Sequence, residues 1–104
     1  MPKSNYVNGR AMEYKARNDL TEQGYTVIRA AGSKGKIDLC AINATEIRLI
    51  QVKNQRHIIK PDELKALQRL IVPGNASVEI WERVDGKWSI RWWDESSKTW
   101  AVWG

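Results

Sequence analysis

Two stretches of the chain place apolar residues at helical spacing, and the first lies between residues 9 and 23. Its apolar side chains recur every four positions, which sets them on one face of a helix. These side chains are Met12, Ala16 and Leu20. Asn8 can accept a hydrogen bond from the first free backbone amides, so it is the predicted N-cap. Gly24 tolerates the left-handed conformation that ends many helices, so it is the predicted stop.

The second helical stretch is predicted over residues 61–72, PDELKALQRLIV. A proline followed by two acidic residues suits a first helical turn, and Pro73-Gly74 supplies an end. Three apolar residues form the stripe that would face the core, namely Leu64, Leu67 and Ile71.

Six further stretches are rich in the β-branched, aliphatic and aromatic residues typical of strands. They are YTVIRAAG (25–32), IDLCAIN (37–43), IRLIQVKN (47–54), SVEIWERV (77–84), KWSIRWWD (87–94) and TWAVWG (99–104). A short turn around residues 44–46 joins the second and third strands. Their nearly continuous apolar character predicts central strands covered on both faces. Asp85-Gly86 predicts a hairpin turn between the fourth and fifth strands.

The predicted order is helix, three strands, helix, and then two or three strands. This order fits an α/β layered domain in which helices pack against a mixed sheet. A length of 104 residues suits one core, so residues 1–104 are expected to form a single domain. Trp88, Ile90 and Trp92 share one face of the fifth strand, which favours packing or a subunit interface over stacking on nucleic-acid bases.

The charge of the chain is unevenly distributed, with a net charge of +5 overall. Residues 1–60 hold eleven Lys/Arg against five Asp/Glu, whereas residues 61–104 hold six against seven. A basic half indicates a polyanionic partner, and nucleic acid is the first candidate. On charge alone, a surface that merely keeps the protein in solution is an equally good explanation.

Several features indicate a cytoplasmic protein. The N-terminus, MPKSNYVNGR, is polar and unlike a signal peptide. No apolar run approaches the roughly 18 residues of a membrane span. The single Cys40 cannot form an internal disulfide. Its apolar context predicts a small buried residue rather than a nucleophile.

Charged and polar residues stand at the ends of two predicted strands. Asp38 opens the second strand, and the third strand ends with Gln51 and Lys53, which lie two positions apart and therefore on one strand face. Since the two strands are joined by a tight turn, the start of one lies beside the end of the other. Carboxylate and amide oxygens suit Mg²⁺, and a nearby lysine can orient an attacking water and balance developing charge.

The same residues have a plainer interpretation, which is a buried Asp–Lys ion pair. Such pairs stabilise proteins weakly, because desolvation offsets the Coulomb attraction. The pattern of one aspartate followed by Gln-x-Lys is also short enough to arise by chance. These three residues alone do not decide between the two interpretations.

The segments GRAME, GYTVIRAAGSKGKIDLCA and IRLIQVK together resemble the PD-(D/E)XK nuclease superfamily. They are most similar to the archaeal-type Holliday junction resolvases and their phage and viral relatives. The family pattern is an early helical Glu, an Arg ending the first strand, a Ser-x-Gly loop, an Asp opening the second strand, and Glu-x-Lys in the third. The matching residues here are Glu13, Arg29, Ser33 with Gly35, Asp38, and Gln51 with Lys53.

This resemblance implies a restriction-endonuclease-like α-β-β-β-α-β core with an extra Trp-rich C-terminal strand or hairpin. It also implies a metal site held by Asp38, Gln51, the Val52 main-chain carbonyl and Glu13, with Lys53 positioning the nucleophilic water. Residues expected to contact DNA phosphates are Arg10, Arg29, Ser33, Lys34, Lys36 and Arg56. The chain departs from the pattern at Gln51, where Glu is usual, and this lowers the negative charge of the site by one.

The function implied by the resemblance is a Mg²⁺-dependent endonuclease, with Mn²⁺ able to substitute, that cuts four-way DNA junctions. A two-fold symmetric junction needs two symmetric cuts, which implies a homodimer. The Trp-rich strands and the apolar stripe of the second helix are both candidate interfaces. Two alternatives remain open at this point: a restriction-like or repair nuclease acting on duplex DNA, and a non-catalytic DNA-binding module that keeps the nuclease fold.

Overall fold

The structure is a computed structural model that describes residues 5–30, 37–54 and 59–103. Its elements in chain order are α1 (Asn5–Glu22), β1 (Thr26–Arg29), β2 (Leu39–Ile42), β3 (Ile47–Asn54), α2 (Pro61–Gln68), β4 (Ala76–Val84), β5 (Lys87–Asp94) and β6 (Thr99–Val102). The predicted α-β-β-β-α-β order is therefore confirmed. Two further strands, β5 and β6, extend it at the C-terminal end.

All six strands form one sheet, and their order in space is the same as their order in the chain. Strands β1, β2 and β3 are antiparallel to one another, as are β4, β5 and β6. The central pair, β3 and β4, is parallel. Parallel neighbours need a crossover connection, and here α2 lies in it. The result is the mixed sheet that the sequence predicted.

Helix α1 packs on one face of the sheet and forms a core there with β2, β3 and β4. The fully buried residues of this core include Ala16 and Leu20 from the predicted apolar stripe of the helix. The helix ends where predicted, since Gly24 has a positive φ of 96° and the amide of Tyr25 donates to the Leu20 carbonyl at 3.1 Å. Its start was predicted wrongly. The helix already includes Asn5, so Asn8 lies inside it rather than at its N-cap.

Helix α2 covers the opposite face of the sheet, where Leu67 packs with Ile59, Val78 and Ile80. It is shorter than the predicted 61–72, because regular helix ends at Gln68. The chain then continues without helical structure, and the side chain of Ile71 is 100% exposed instead of completing the apolar stripe. Of the helices in the described residues, neither is long and apolar enough to cross a membrane.

The position of β3 between the two helices explains its burial. Ile50 and Val52 belong to the α1 core, and on the opposite face Gln51 is buried and Leu49 is half-buried, as expected for a central strand covered on both faces. Strand β2 was also predicted to be covered on both faces, but it is fully buried on the α1 face only. On the other face Cys40 is half-buried rather than buried. Burial raises the pKa of the Cys40 thiol, which is the opposite of what an activated nucleophile requires.

Four tryptophans of the C-terminal half, Trp81, Trp88, Trp93 and Trp100, pack in the two cores, which agrees with the preference for packing over base stacking that the sequence indicated. Trp88 contacts Trp81 edge-on, with ring centroids 5.3 Å apart, and belongs to the α1 core. Trp93 and Trp100 pack together, 5.4 Å apart, against the α2 core. The predicted hairpin turn is also present, because Asp85 and Gly86 both have positive φ, at 51° and 77°.

A buried ion pair joins β3 to β4 on the α1 face. The Arg48 guanidinium donates two hydrogen bonds of 2.8 Å to the Glu79 carboxylate, and Glu79 is fully buried. Ser77 and Trp81 donate to the same carboxylate, at 2.6 and 2.9 Å.

Candidate active site

The start of β2 and the end of β3 lie side by side, as the strand-end residues predicted. The backbone amide of Asp38 donates to the Ile50 carbonyl at 2.8 Å. In return, a side-chain oxygen of Asp38 accepts a hydrogen bond of 2.8 Å from the amide of Val52. The carboxylate of Asp38 is therefore fixed beside the segment that carries Gln51, Val52 and Lys53.

Burial raises the pKa of Asp38 from 3.8 to about 6. The hydrogen bond from the Val52 amide lowers it, the negative charge of Glu13 raises it, and the positive charges of Lys53 and Arg29 lower it. The negative charge of Glu13 is close enough to disfavour ionised Asp38, and a cation bound beside both would relieve that repulsion. The electrostatics of Asp38 therefore suit a metal site.

Gln51 is buried, with 8% of its surface exposed. Its side chain makes no hydrogen bond to any part of the chain that the structure describes. Among the described residues, the enclosed side-chain polar atom that lacks a hydrogen-bond partner is Nε1 of Trp100, so the amide atoms of Gln51 are still reached by solvent. Within the described ranges, the Gln51 amide is therefore not held by a neighbouring side chain or backbone group.

Glu13 approaches the strand ends from α1. Its carboxylate accepts a hydrogen bond of 2.8 Å from Nε of Arg29, at the end of β1, and both side chains are partly buried. Arg10 lies one turn earlier on the same helix and is exposed. The structure thus brings Glu13, Arg29, Asp38 and the end of β3 together, as the family pattern requires.

Lys53 has a partner that sequence reasoning missed. Its ammonium group forms an ion pair of 2.8 Å with Glu63, in the first turn of α2. The other carboxylate oxygen of Glu63 accepts a hydrogen bond of 3.1 Å from the amide of Lys60. Burial raises the pKa of Glu63, but the hydrogen bonds from Lys53 and Lys60 outweigh it and leave the pKa lowered. The acidic first turn was visible in the sequence, but not the strand against which it docks.

Four of the expected DNA-contacting residues, Ser33, Lys34, Lys36 and Arg56, lie outside the described residues. Within the described ranges, no cluster of three or more His, Cys, Asp or Glu side chains offers a metal site. The oxygen donors expected from the sequence are the carboxylates of Glu13 and Asp38, the Gln51 amide and the Val52 carbonyl, and among them the structure fixes Asp38 beside the backbone of Val52. Mg²⁺ typically takes one or two carboxylates and keeps several waters, so this donor set fits such an ion.

No curated protein sequence matches the chain. Among the solved structures that match is Hjc of Archaeoglobus fulgidus, a Holliday junction resolvase from an archaeal hyperthermophile, determined at 1.6 Å. The two chains are 22% identical with a TM-score of 0.67, over 80% of this chain and 70% of the other. This likeness shows that the two proteins share a fold.

The profile of the archaeal Holliday junction resolvase (Hjc) family matches residues 4–90. That range includes α1, the β1–β3 hairpins, α2, β4 and the first half of β5. The resemblance inferred from the sequence motifs is thereby confirmed over most of the chain. The chain belongs to the archaeal Holliday junction resolvase family.

Proposed function

We propose that this protein is a Mg²⁺-dependent, structure-selective endonuclease that resolves four-way DNA junctions by paired cuts. The observation that carries the proposal is the convergence of Glu13, Asp38 and Lys53, beside Gln51, at the ends of β2 and β3. This convergence occurs in a chain of the resolvase family, whose members act as junction-resolving nucleases.

The residues that would hold the metal are Glu13, Asp38, Gln51 and the main-chain carbonyl of Val52. When bound, a divalent ion supplies Lewis acidity to the scissile phosphate and lowers the pKa of a coordinated water. We propose Mg²⁺ as the physiological ion, with Mn²⁺ able to replace it, because the donors are all oxygen atoms.

Lys53 is the group that would orient the attacking water and offset the charge that develops on the phosphate. Its ammonium lies 2.8 Å from the Glu63 carboxylate, so it is held at the end of β3 rather than extended into solvent. Arg29 holds Glu13 by a 2.8 Å ion pair. A guanidinium also presents several donors to a phosphate, so Arg29 would serve both the carboxylate and the DNA.

DNA binding would rest on Arg10 and Arg29 together with Ser33, Lys34, Lys36 and Arg56. Cationic side chains bind the backbone irrespective of base sequence, which suits an enzyme that recognises the shape of a junction. A DNA substrate also implies an intracellular site of action. We further propose that residues 1–104 act as one nuclease domain and that two copies form a homodimer, since a two-fold symmetric junction presents two equivalent strands for cleavage.

Parallel digestion of three labelled DNAs tests the proposal: a four-way junction, a flap and a linear duplex, each with Mg²⁺, with Mn²⁺ and with EDTA. We expect paired cuts in the junction, little cutting of the duplex and no cutting in EDTA. Comparable cutting of the duplex would favour the restriction-like or repair nuclease. Binding without cleavage in either metal would favour the non-catalytic module.

A further inference from the structure

Three arginines surround a single tyrosine on the exposed side of α1, next to the candidate active site. The guanidinium carbons of Arg10, Arg17 and Arg29 lie 5.6, 4.9 and 5.6 Å from the centre of the Tyr14 ring. Arg10 also donates a hydrogen bond of 3.3 Å to the Tyr14 hydroxyl. Neither Tyr14 nor Arg17 belongs to the motifs that indicate the nuclease.

The charges in this cluster are incompletely balanced. Arg29 is paired with Glu13 at 2.8 Å, whereas Arg17 forms no ion pair with any carboxylate in the ranges that the structure describes. The hydrogen bond and the charge of Arg10 lower the pKa of Tyr14, and the charges of Arg29 and Arg17 lower it further. This shift indicates positive potential at the ring, and positive potential attracts an anion.

The spacing along the helix matches a row of anions. Arg10, Tyr14 and Arg17 are separated by four and three positions, so they share one face of α1. From Arg10 to Arg17 the helix rises about 10 Å, which is the axial rise of about three nucleotides in one strand of B-form DNA. Glu13 lies between them in the chain, so the row flanks the candidate active site.

We propose that Arg10 and Arg17 bind backbone phosphates of the DNA strand that flanks the scissile phosphate, with Tyr14 between them as a support; these three residues form the α1 stripe. Guanidinium groups bind phosphates through paired hydrogen bonds. The Tyr14 ring holds Arg17 in place by a cation–π contact, which reduces the side-chain entropy lost on binding. With Arg17 at 4.9 Å from the ring centre, Tyr14 supports a phosphate contact rather than stacking on a base. This inference rests on the proposed DNA-binding function.

Junction binding measured in EDTA over a range of salt concentrations tests the α1 stripe without cleavage. The variants are Arg17→Gln, Tyr14→Leu and, as the matched control, Lys15→Gln. Lys15 is an exposed residue of the same helix that lies off the stripe, so its variant removes the same charge. For Arg17→Gln we expect several-fold weaker binding and a log–log salt slope flatter by about 0.9, the value for one phosphate contact on duplex DNA.

For Lys15→Gln we expect a salt slope close to that of the wild type. Tyr14→Leu removes no charge, yet it should weaken binding because Arg17 loses its support, and Tyr14→Phe should bind like the wild type. Equal effects of Arg17→Gln and Lys15→Gln would overturn the α1 stripe while leaving the nuclease proposal intact. A wild-type protein that binds no junction at any salt concentration would instead overturn the proposed function. Thermal melting confirms that each variant is folded.

Discussion

The pKa of Asp38 is set by several opposing electrostatic effects in the candidate site. Burial, together with the charge of Glu13, leaves its pKa at about 6 in the folded protein, against 3.8 for an exposed aspartate. A carboxyl group whose folded pKa is raised favours the folded state at low pH, and this stability is lost as the pH rises from about 4 through about 6. At pH 8 the metal-free protein therefore carries a cost on the order of 2 kcal/mol, allowing for the partial exposure of the group.

Asp38→Asn should therefore stabilise the metal-free protein at high pH. Asparagine keeps an oxygen to accept the Val52 amide hydrogen bond but carries no charge. In EDTA, urea unfolding should give a variant more stable than the wild type by about 2 kcal/mol at pH 8 and nearly equal to it at pH 3.5. Added Mg²⁺ should stabilise the wild type and not the variant. A variant less stable than the wild type at pH 8 would contradict this account of the pKa.

The same variant should lose cleavage and keep junction binding. The lost carboxylate would hold the metal, whereas phosphate contacts come from the arginines and lysines around the site. Single-turnover cleavage and a binding titration on the same four-way junction measure the two effects. Cleavage by Asp38→Asn at a rate near that of the wild type would remove Asp38 from the metal site.

Gln51 is the position at which the chain departs from its family, and we propose that its amide oxygen is a metal ligand. Gln51→Glu places a negative charge beside the metal, where opposite charges interact by several kcal/mol even at an effective dielectric of about 20. The Mg²⁺ concentration for half-maximal cleavage should fall, while the maximal rate need not rise, since the added charge also repels the phosphate. Gln51→Ala should raise the Mg²⁺ requirement or abolish activity. An unshifted Mg²⁺ titration in both folded variants would exclude Gln51 as a ligand.

Much of this site was predictable from the sequence, because it depends on short-range geometry. The pleat of a strand places Gln51 and Lys53 on one face, and a tight turn brings Asp38 beside them. The ion pair between Lys53 and Glu63 was not predictable in this way. It depends on how the first turn of α2 docks against β3 after a connection of several residues, and no local pattern encodes that docking.

The boundaries of the helices likewise include one that local sequence predicts and one that it does not. Gly24 ended α1 as predicted, since its positive φ is a local requirement. The predicted end of α2 was wrong. Pro73-Gly74 prevents a helix from continuing past this point, but it does not make the residues before it helical. The tertiary contacts of Leu70 and Val72 with the α2 core prevail over their helical spacing, and Ile71 then points to solvent.

The Arg48–Glu79 pair joins the two central strands and should be important for stability. Glu79→Gln leaves Arg48 buried without its charge partner, and breaking one side of a buried pair typically costs about 3–5 kcal/mol. Glu82→Gln is the matched control. Glu82 lies on the same strand, and its pair with Arg91 is partly exposed, so its loss should cost less than about 1 kcal/mol. Urea unfolding of the two variants measures this difference, and equal costs would contradict it.

The distribution of exposed apolar side chains gives the proposed homodimer two candidate surfaces. Ile71, beyond α2, is 100% exposed and borders a groove that Trp92 and Trp93 also line. Val102 and Trp103, at the β6 edge, are 73% and 53% exposed. Because Ile71 is the more exposed and adjoins a groove that could receive it from a second copy, we place the interface there.

Ile71→Glu should therefore convert the dimer to a monomer in sedimentation velocity, since a buried charge without a partner is costly. Val102→Glu, the control at the other surface, should remain dimeric. The monomeric variant should nick a junction on one strand rather than make paired cuts. Dissociation by Val102→Glu alone would move the interface to β6. A wild type that is monomeric while bound to a junction would refute the homodimer.

The two contacts of Glu63 link the N-terminus of α2 to Lys53. One of its carboxylate oxygens accepts from the Lys60 amide and the other pairs with Lys53, so the helix terminus and the reactive lysine share a single side chain. A phosphate that draws the lysine towards itself takes away one of the two partners of Glu63. Amide hydrogen exchange at Lys60 should then change on junction binding, although no DNA touches that amide. The exchange rate of the Lys60 amide would thus show whether Lys53 is paired with Glu63 or with a DNA phosphate.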